Sequence, residues 1–262
     1  MPITVRDIQG FRERGERFAM FTAYDWPTGR LLDEAGAPVI LVGDTLADNV
    51  LGYPTTVPVT MEEMLHHTRA VARGVKEALL VGDLPFGAYH ASIEDGIRNG
   101  CRLIKEGGAR AVKFEGPWPE LAGALVARGA PVMGHLGLTP QSIHAFGGYR
   151  VQGRTPDAAA RLLEDARRME DVGVFALVLE CVPIALTKEI TASLGIPTIG
   201  IGAGPHCNGQ VLVLTDMLGV NERPPKFVKA YANLAEEIRG AARRFQDEVK
   251  AGVFPDEAHS YG

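Results

Sequence analysis

Val39-Ile-Leu-Val-Gly-Asp44 (VILVGD) is an apolar, largely β-branched run that stops on a carboxylate, and four more runs in the chain do the same on an ionisable side chain. They are LLVGD ending at Asp83, AVKFEG carrying Lys113 and Glu115, PVMGH ending at His135, and ALVLE ending at Glu180. An unbroken apolar run of this length reads as a strand buried on both faces of a parallel sheet, and all strands of such a sheet open their C-terminal ends on one side. Charges far apart in sequence therefore meet at one mouth.

Working outward from these runs, eight candidate strands appear: 17–23, 38–43, 78–82, 109–115, 131–136, 174–180, 197–202 and 211–215. Helical periodicity fills the gaps, as at 61–73, 93–106, 158–171 and 184–194. Thr60 with Glu63 spells a capping box and Ser92 with Asp95 an acidic variant. Gly74, Gly107-Gly108, Gly129 and Gly195 close helices shortly before the next strand. Eight strands alternating with helices in this length predict a single (β/α)8 barrel, an α/β fold spanning residues 1–262 as one domain. A doubly wound open sheet is the competitor, but it gathers ligand at one switch point, whereas the charged ends here are spread over strands two to six. Two stretches, 46–58 and 139–155, are long for βα connections, which usually run about two to six residues, and read either as active-site loops or as surface insertions. The segment 226–250 reads as a C-terminal amphipathic helix with Phe227, Tyr231, Leu234, Ile238 and Phe245 near one face.

Composition narrows the function. With a formal net charge of −5 and no clustered Lys/Arg run, the chain is not expected to bind nucleic acid or a membrane, which leaves small molecules as partners. Cys101, Cys181 and Cys207 are odd in number and widely spaced, as reduced thiols in a cytoplasmic protein would be. The charged N-terminus lacks the apolar core of a signal peptide, and no run approaches a membrane span.

At the expected mouth, Asp44 and Asp83 each follow a glycine at the end of neighbouring strands. Two hard oxygen donors suit Mg²⁺, which takes one or two carboxylates and completes its octahedron with water and substrate oxygens. The alternative is that each Asp caps a helix or ties down a loop. Lys113 and Glu115, two apart, share one face of their strand, while Val112 and Phe114 face the other way. That dyad reads as a structural ion pair or as charge gathered for an enolate. Glu180, in apolar surroundings, should have a raised pKa and suit proton transfer, unless it is a satisfied buried carboxyl. His135 is a candidate donor to a substrate oxygen or a structural hydrogen-bonder. His66 and His67, one turn after Glu62 and Glu63, mimic metal-ligand spacing but read better as solvated helix-face pairs. The segment IGIGAGPHCNGQ is glycine-rich after strand seven, where barrels often bind phosphate, but it lacks a nucleotide fingerprint.

The strings LVGDTLADNVLGYPTTVPVT, LLVGDLPFGAY, AVKFEG, PVMGHLGLTPQSIHAFGGYRVQGR, LVLECVP and IPTIGIGAG, with the tail PKFVKAYANL, in this order and spacing, resemble the ketopantoate hydroxymethyltransferase family. The resemblance implies a barrel of the phosphoenolpyruvate/pyruvate type, a divalent metal, and a homo-oligomer, often a decamer. It implies hydroxymethyl transfer from 5,10-methylenetetrahydrofolate to 3-methyl-2-oxobutanoate, giving 2-dehydropantoate, the first committed step of pantothenate synthesis. Carried onto this chain, Asp44 and Asp83 match Mg²⁺ ligands and Glu115 a carboxylate reaching the metal through water. Thr45, Asp83 and Lys113 match keto-acid contacts, and Glu180 the base. Thr45 stands where the family commonly has Ser, Ala47 where Gly is usual and Asn208 where Asp is common, which puts pocket shape and folate-side contacts in question. A carbon–carbon lyase of the same superfamily would need a loop cysteine motif that is not present, and a catalytically silent barrel is disfavoured by the intact metal and base candidates.

Overall fold

The computed structural model describes residues 2–262, and the eight expected strands form one closed parallel barrel. They are β1 (Phe18–Thr22), β2 (Val39–Val42), β3 (Leu79–Asp83), β4 (Ala111–Lys113), β5 (Val132–Gly137), β6 (Ala176–Glu180), β7 (Thr198–Ile201) and β8 (Gly209–Leu212). Each pairs in parallel with the next, and β8 closes on β1, with Phe18 opposite Gly209. This is the (β/α)8 barrel predicted from the alternating runs. The chain divides into two compact units, one ending at Val213 that holds every strand and a second of Leu214–Gly262.

Strand alternation sorts the apolar residues into an inner and an outer set. Inside the barrel, Met20, Val39, Leu41, Leu79, Val81, Ala111, Met133, Ala176, Val178, Ile199 and Val211 pack as one cluster. Outside, Val112, Phe114, Leu177 and Leu179 pack with Leu103, Leu121, Leu125 and Met169 of the surrounding helices, and Ile40, Val42 and Leu80 with Met64 and Val71. The inner phase then runs on into the polar residues: Leu79, Val81, Asp83 on β3; Ala111, Lys113 and then Glu115 past β4; Met133, His135 on β5; Ala176, Val178, Glu180 on β6. A shift of one residue would turn all of these toward the helices.

The helix Val5–Glu13 sits in the same inner cluster through fully buried Ile8, against the start of the barrel at Phe18. It opens with a capping box in which Thr4 and Asp7 satisfy each other's backbone N–H groups. The expected box at Thr60 and Glu63 forms at 2.8 and 3.2 Å. Glu63 also accepts from Tyr53 Oη at 2.7 Å, and His67 Nδ1 lies 2.6 Å from the Tyr24 carbonyl, so Glu63 and His67 have local partners other than each other.

Among the boundaries that depart from the sequence reading, three stand out. β4 ends at Lys113, because the Glu115 N–H donates to the Tyr89 hydroxyl and the Gly116 N–H to the His135 carbonyl. β8 starts at Gly209, and residues 202–208 reach it from β7 without a helix. The C-terminal helix is Leu234–Lys250, not 226–250. Pro224 and Pro225 precede this stretch, and the N–H groups of Tyr231 and Leu234 bond to the carbonyls of Met217 and Leu218 instead of their own turn, leaving Phe227 and Tyr231 outside the helix. No helix among the described residues is long and apolar enough to cross a membrane.

Helices Trp26–Glu34 and Met61–Gly74 approach closely at Gly74. A Cβ there would stand 2.6 Å from the Trp26 carbonyl oxygen and 2.8 Å from the Arg30 amide nitrogen, both fixed backbone atoms. Gly74→Ala is expected to destabilise the fold by about 1–3 kcal/mol by overpacking, read as a lower denaturation midpoint in urea; an unchanged midpoint would show that the two helices slide apart freely.

Candidate active site

All seven site residues expected from the sequence line one cavity inside the C-terminal rim of the barrel: Asp44, Thr45, Asp83, Lys113, Glu115, His135 and Glu180. Its lower walls are the inner apolar residues Met20, Leu41, Val178 and Val211. Four carboxylates thus share a largely buried cavity with one ammonium. Lys113 Nζ donates to Asp83 Oδ2 at 2.6 Å, with both side chains at least 95% shielded. The Asp44 N–H lies 3.4 Å from the same oxygen, and Asp83 Oδ1 has no hydrogen-bond partner.

The charges set one another's proton affinity. Burial and the nearby Asp83 push the Asp44 carboxyl up to about 7. Burial and Asp44 raise Glu115 well above the usual carboxylate range, against the pull of Lys113. Burial would lower the Lys113 ammonium, but Asp83, Glu115 and Asp44 together outweigh it and hold the proton more tightly than in water. Glu180 is pushed up to about 8 by burial, as its apolar run predicts, with Lys113 opposing. His135 stands between two of the carboxylates, Nδ1 3.6 Å from Glu115 and Nε2 3.3 Å from Glu180. Neither approach has hydrogen-bond geometry, both ring nitrogens lack a partner, and burial followed by Lys113 holds the imidazole neutral.

Sequence reasoning missed the two residues that hold these groups in place. Gln141 Nε2 donates to Asp44 Oδ2 and to the Leu84 carbonyl, both at 2.9 Å, while its backbone N–H donates to Glu115 Oε2 at 2.9 Å. The Tyr89 hydroxyl donates toward Gln141 Oε1 at 2.7 Å and the Glu115 carbonyl at 3.0 Å. Both side chains are buried. The available signal was a buried-type amide just after a strand ending on charge. Thr45 shares a 2.8 Å hydrogen bond with Tyr24 Oη. Next to Glu180, Cys181 is the one non-glycine among the described residues with a left-handed backbone, φ 48°. Its N–H bonds to Ile201 O and its carbonyl accepts from Gln152 N–H, both at 2.9 Å, which pins the turn behind Glu180.

Asn208 lies elsewhere. It precedes β8 at the opposite end of the barrel, where its Oδ1 accepts from the Thr198 N–H at 3.0 Å and from Arg12 Nη1 at 3.1 Å, so this departure bears on a structural clamp between β7, β8 and the first helix. Ala47 is fully buried in the helix Leu46–Asn49.

The cavity fits a hard divalent cation on its own chemistry. Asp44 and Asp83 offer carboxylate oxygens from neighbouring strand ends, one of them unpartnered, and the cavity's negative groups outnumber its cation. Among the described residues no three His, Cys, Asp or Glu side chains converge on a common point; Asp44 and Asp83 are the pair whose oxygens would suit Mg²⁺, an ion that takes one or two carboxylates and fills its other positions with water and substrate oxygens.

Comparison with known proteins shows the family. The family model of ketopantoate hydroxymethyltransferase matches residues 2–257. The chain is 57% identical over 261 residues to the 3-methyl-2-oxobutanoate hydroxymethyltransferase of Thermobifida fusca, covering 99% of this chain and 93% of that protein. It is 54% identical to the enzyme of the same name from Syntrophus aciditrophicus, covering 99% and 96%. Among solved structures it resembles phosphonopyruvate hydrolase (TM-score 0.63, 15% identity, 99% and 92% covered) and 2,3-dimethylmalate lyase (TM-score 0.61, 12% identity, 100% and 93% covered), a likeness of fold.

Glu180 carries a stability cost that follows from its titration. Its folded pKa of about 8 exceeds the roughly 4.3 of an unfolded glutamate, so its contribution is fully present below the unfolded value and is lost as pH rises through 8. With chelator present, Glu180→Gln is therefore expected to gain stability over the parent from pH 5 upward, levelling above pH 8. The titration difference bounds the gain at about 5 kcal/mol, and the 15% exposure of the side chain lowers it from there. Thermal melts across pH 5–9 with a constant difference would remove Glu180 from this role.

Proposed function

The chain belongs to the ketopantoate hydroxymethyltransferase family and transfers a hydroxymethyl group to 3-methyl-2-oxobutanoate; we propose that the donor is 5,10-methylenetetrahydrofolate and that the reaction runs through an enolate of the keto acid. The single observation that supports the chemistry is the convergence of Asp44, Asp83, Lys113, Glu115 and Glu180 on one buried cavity at the strand ends. Asp44 and Asp83 would hold a Mg²⁺ ion, with Glu115 reaching it through water; when bound, the ion supplies positive charge beside the substrate's keto and carboxylate oxygens.

The remaining steps belong to the protein's own groups. Lys113 keeps its proton under the influence of three carboxylates and so presents a permanent positive charge toward the oxygen on which negative charge develops. Thr45 and Asp83 position the keto acid, Asp44 lies beside them, and His135, neutral and with both nitrogens unpartnered, donates to a substrate oxygen. Glu180, whose burial raises its basicity to about 8, takes the proton from C3. The C3–H bond breaks onto Glu180 and a carbon–carbon bond forms to the methylene of the opened folate iminium; the bond from that methylene to the folate nitrogen then breaks as water supplies the hydroxyl oxygen, and tetrahydrofolate leaves with water's proton on the released nitrogen. Gln141 and Tyr89 hold Asp44 and Glu115 so that little reorganisation is needed during the reaction.

The product, 2-dehydropantoate, places the enzyme at the entry to pantothenate synthesis, and the free thiols Cys101, Cys181 and Cys207 accord with a cytoplasmic setting. We also propose one catalytic domain over residues 1–262 and a homo-oligomer, a decamer in the family's usual form. The exposed Ile238, Phe245 and Val249 of the C-terminal helix support assembly.

The test separates the two half-reactions. With keto acid and Mg²⁺ alone, the protein is expected to exchange the C3 proton with solvent deuterium, and adding methylenetetrahydrofolate should yield 2-dehydropantoate; absence of both overturns the proposal. Glu180→Gln should lose exchange by about 10² to 10⁴. In the parent, exchange should rise with pH toward a plateau above about 8, since the ionised base accumulates there. A variant that exchanges at full rate would show that another group takes the proton.

A further inference from the structure

Beside the carboxylate cavity lies a second, larger one of about 470 Å³, formed where the segments after β3, β4 and β5 meet the helix Pro156–Asp171. Glu115 lines both cavities, and Gln141, which lines the outer one, donates its N–H to the Glu115 carboxylate and its Nε2 to Asp44. The outer chamber therefore adjoins the site where the keto acid is proposed to bind.

The outer chamber is aromatic. Phe86 and His90 rings lie 4.7 Å apart, Tyr89 and His90 4.2 Å, and Trp118 meets His90 edge-on at 6.0 Å. Phe86 is 45% exposed and Trp118 42%, so large rings are turned into open space rather than packed away. Its acidic side chains are Glu115 and Asp165, no Lys or Arg lines it, His90 and His144 are its only basic groups, and burial lowers the His90 pKa. Asp165 is only partly exposed, and Arg168 Nη1 stands 3.9 Å from its Oδ1, beyond hydrogen-bond reach.

An aromatic chamber with carboxylates and no cation rejects a phosphate or another anion. It suits a flat, uncharged heterocycle that presents N–H donors, since such a ring stacks on aromatic faces and its paired donors fit a carboxylate in bidentate fashion. The volume falls within the range of about 300–1,000 Å³ common for small-ligand pockets. We propose that this chamber takes the reduced pterin ring of the one-carbon donor, stacked against Trp118 and Phe86, with its 2-amino and N3–H groups on Asp165. The assignment rests on the proposed folate donor and deepens it. The anionic glutamate tail then stays outside, and the methylene carbon faces the keto acid past Glu115.

Direct binding tests the assignment. Tetrahydrofolate titrated calorimetrically into the parent, Trp118→Ala and Asp165→Asn is expected to bind each variant at least tenfold more weakly. In kinetics the KM for methylenetetrahydrofolate should rise at least tenfold relative to that for the keto acid. In a Trp26→Phe background, tetrahydrofolate should also quench Trp118 fluorescence, a readout that needs no substitution in the chamber. Equal affinity in all three proteins, or no quenching at saturating tetrahydrofolate, places the pterin elsewhere. If the parent exchanges the C3 proton yet neither binds tetrahydrofolate nor uses its methylene form, the donor reading fails, and this assignment with it.

Discussion

The ion pair between Lys113 and Asp83, 2.6 Å long and shielded from water, is the contact on which the mouth of this barrel depends. Four carboxylates gathered in a buried cavity repel one another and lose much of their hydration, and Lys113 is the one ammonium among the groups lining it. Removing one partner of such a pair costs about 3–5 kcal/mol, because the other charge stays buried. The same ammonium tempers Asp44, Glu115 and Glu180, so the pair sets the charge of groups well beyond itself. What remains uncompensated is the negative charge that a divalent cation and an acidic substrate's counter-field would meet.

That pair exists because of register. Asp83 stands opposite Lys113 in the β3–β4 ladder, and Glu180 opposite Gly137 in the β5–β6 ladder. Below them the same alternating phase supplies the packed apolar interior, so the forces that close the barrel also aim its charges. Hydrophobic burial selects the phase, and Asp83, Lys113, His135 and Glu180 follow it, whereas Asp44, out of phase with Val39 and Leu41, reaches the cavity only beyond the end of β2.

This explains how much was legible. Runs such as VILVGD and ALVLE carry period and ending together, so strands and charged rim could be read from them. β8, Gly-Gln-Val-Leu, carries too little apolar signal, and its pattern points to a start two residues late, at Val211. The apolar spacing of the C-terminal helix continues back through Phe227 and Tyr231 and so predicts too long a helix; the prolines and hydrogen bonds to Met217 and Leu218 overrule it. Gln141 and Tyr89 sit in irregular segments that have no period, and their importance comes from partners up to 97 residues away, as in the contact from Gln141 to Asp44. The Asn208 departure looked relevant to the pocket in sequence, and only the closed barrel puts it at the far end.

Glu115 has a position unlike its neighbours, since it alone lines both chambers. Substitutions in either chamber therefore share a common wall, and their effects should not add when Glu115 is also changed. A residue in this position is under two shape requirements at once, so variation on one side is tolerated only in combinations that leave the other side its boundary. The chambers differ in chemistry, yet as objects of variation they form one unit.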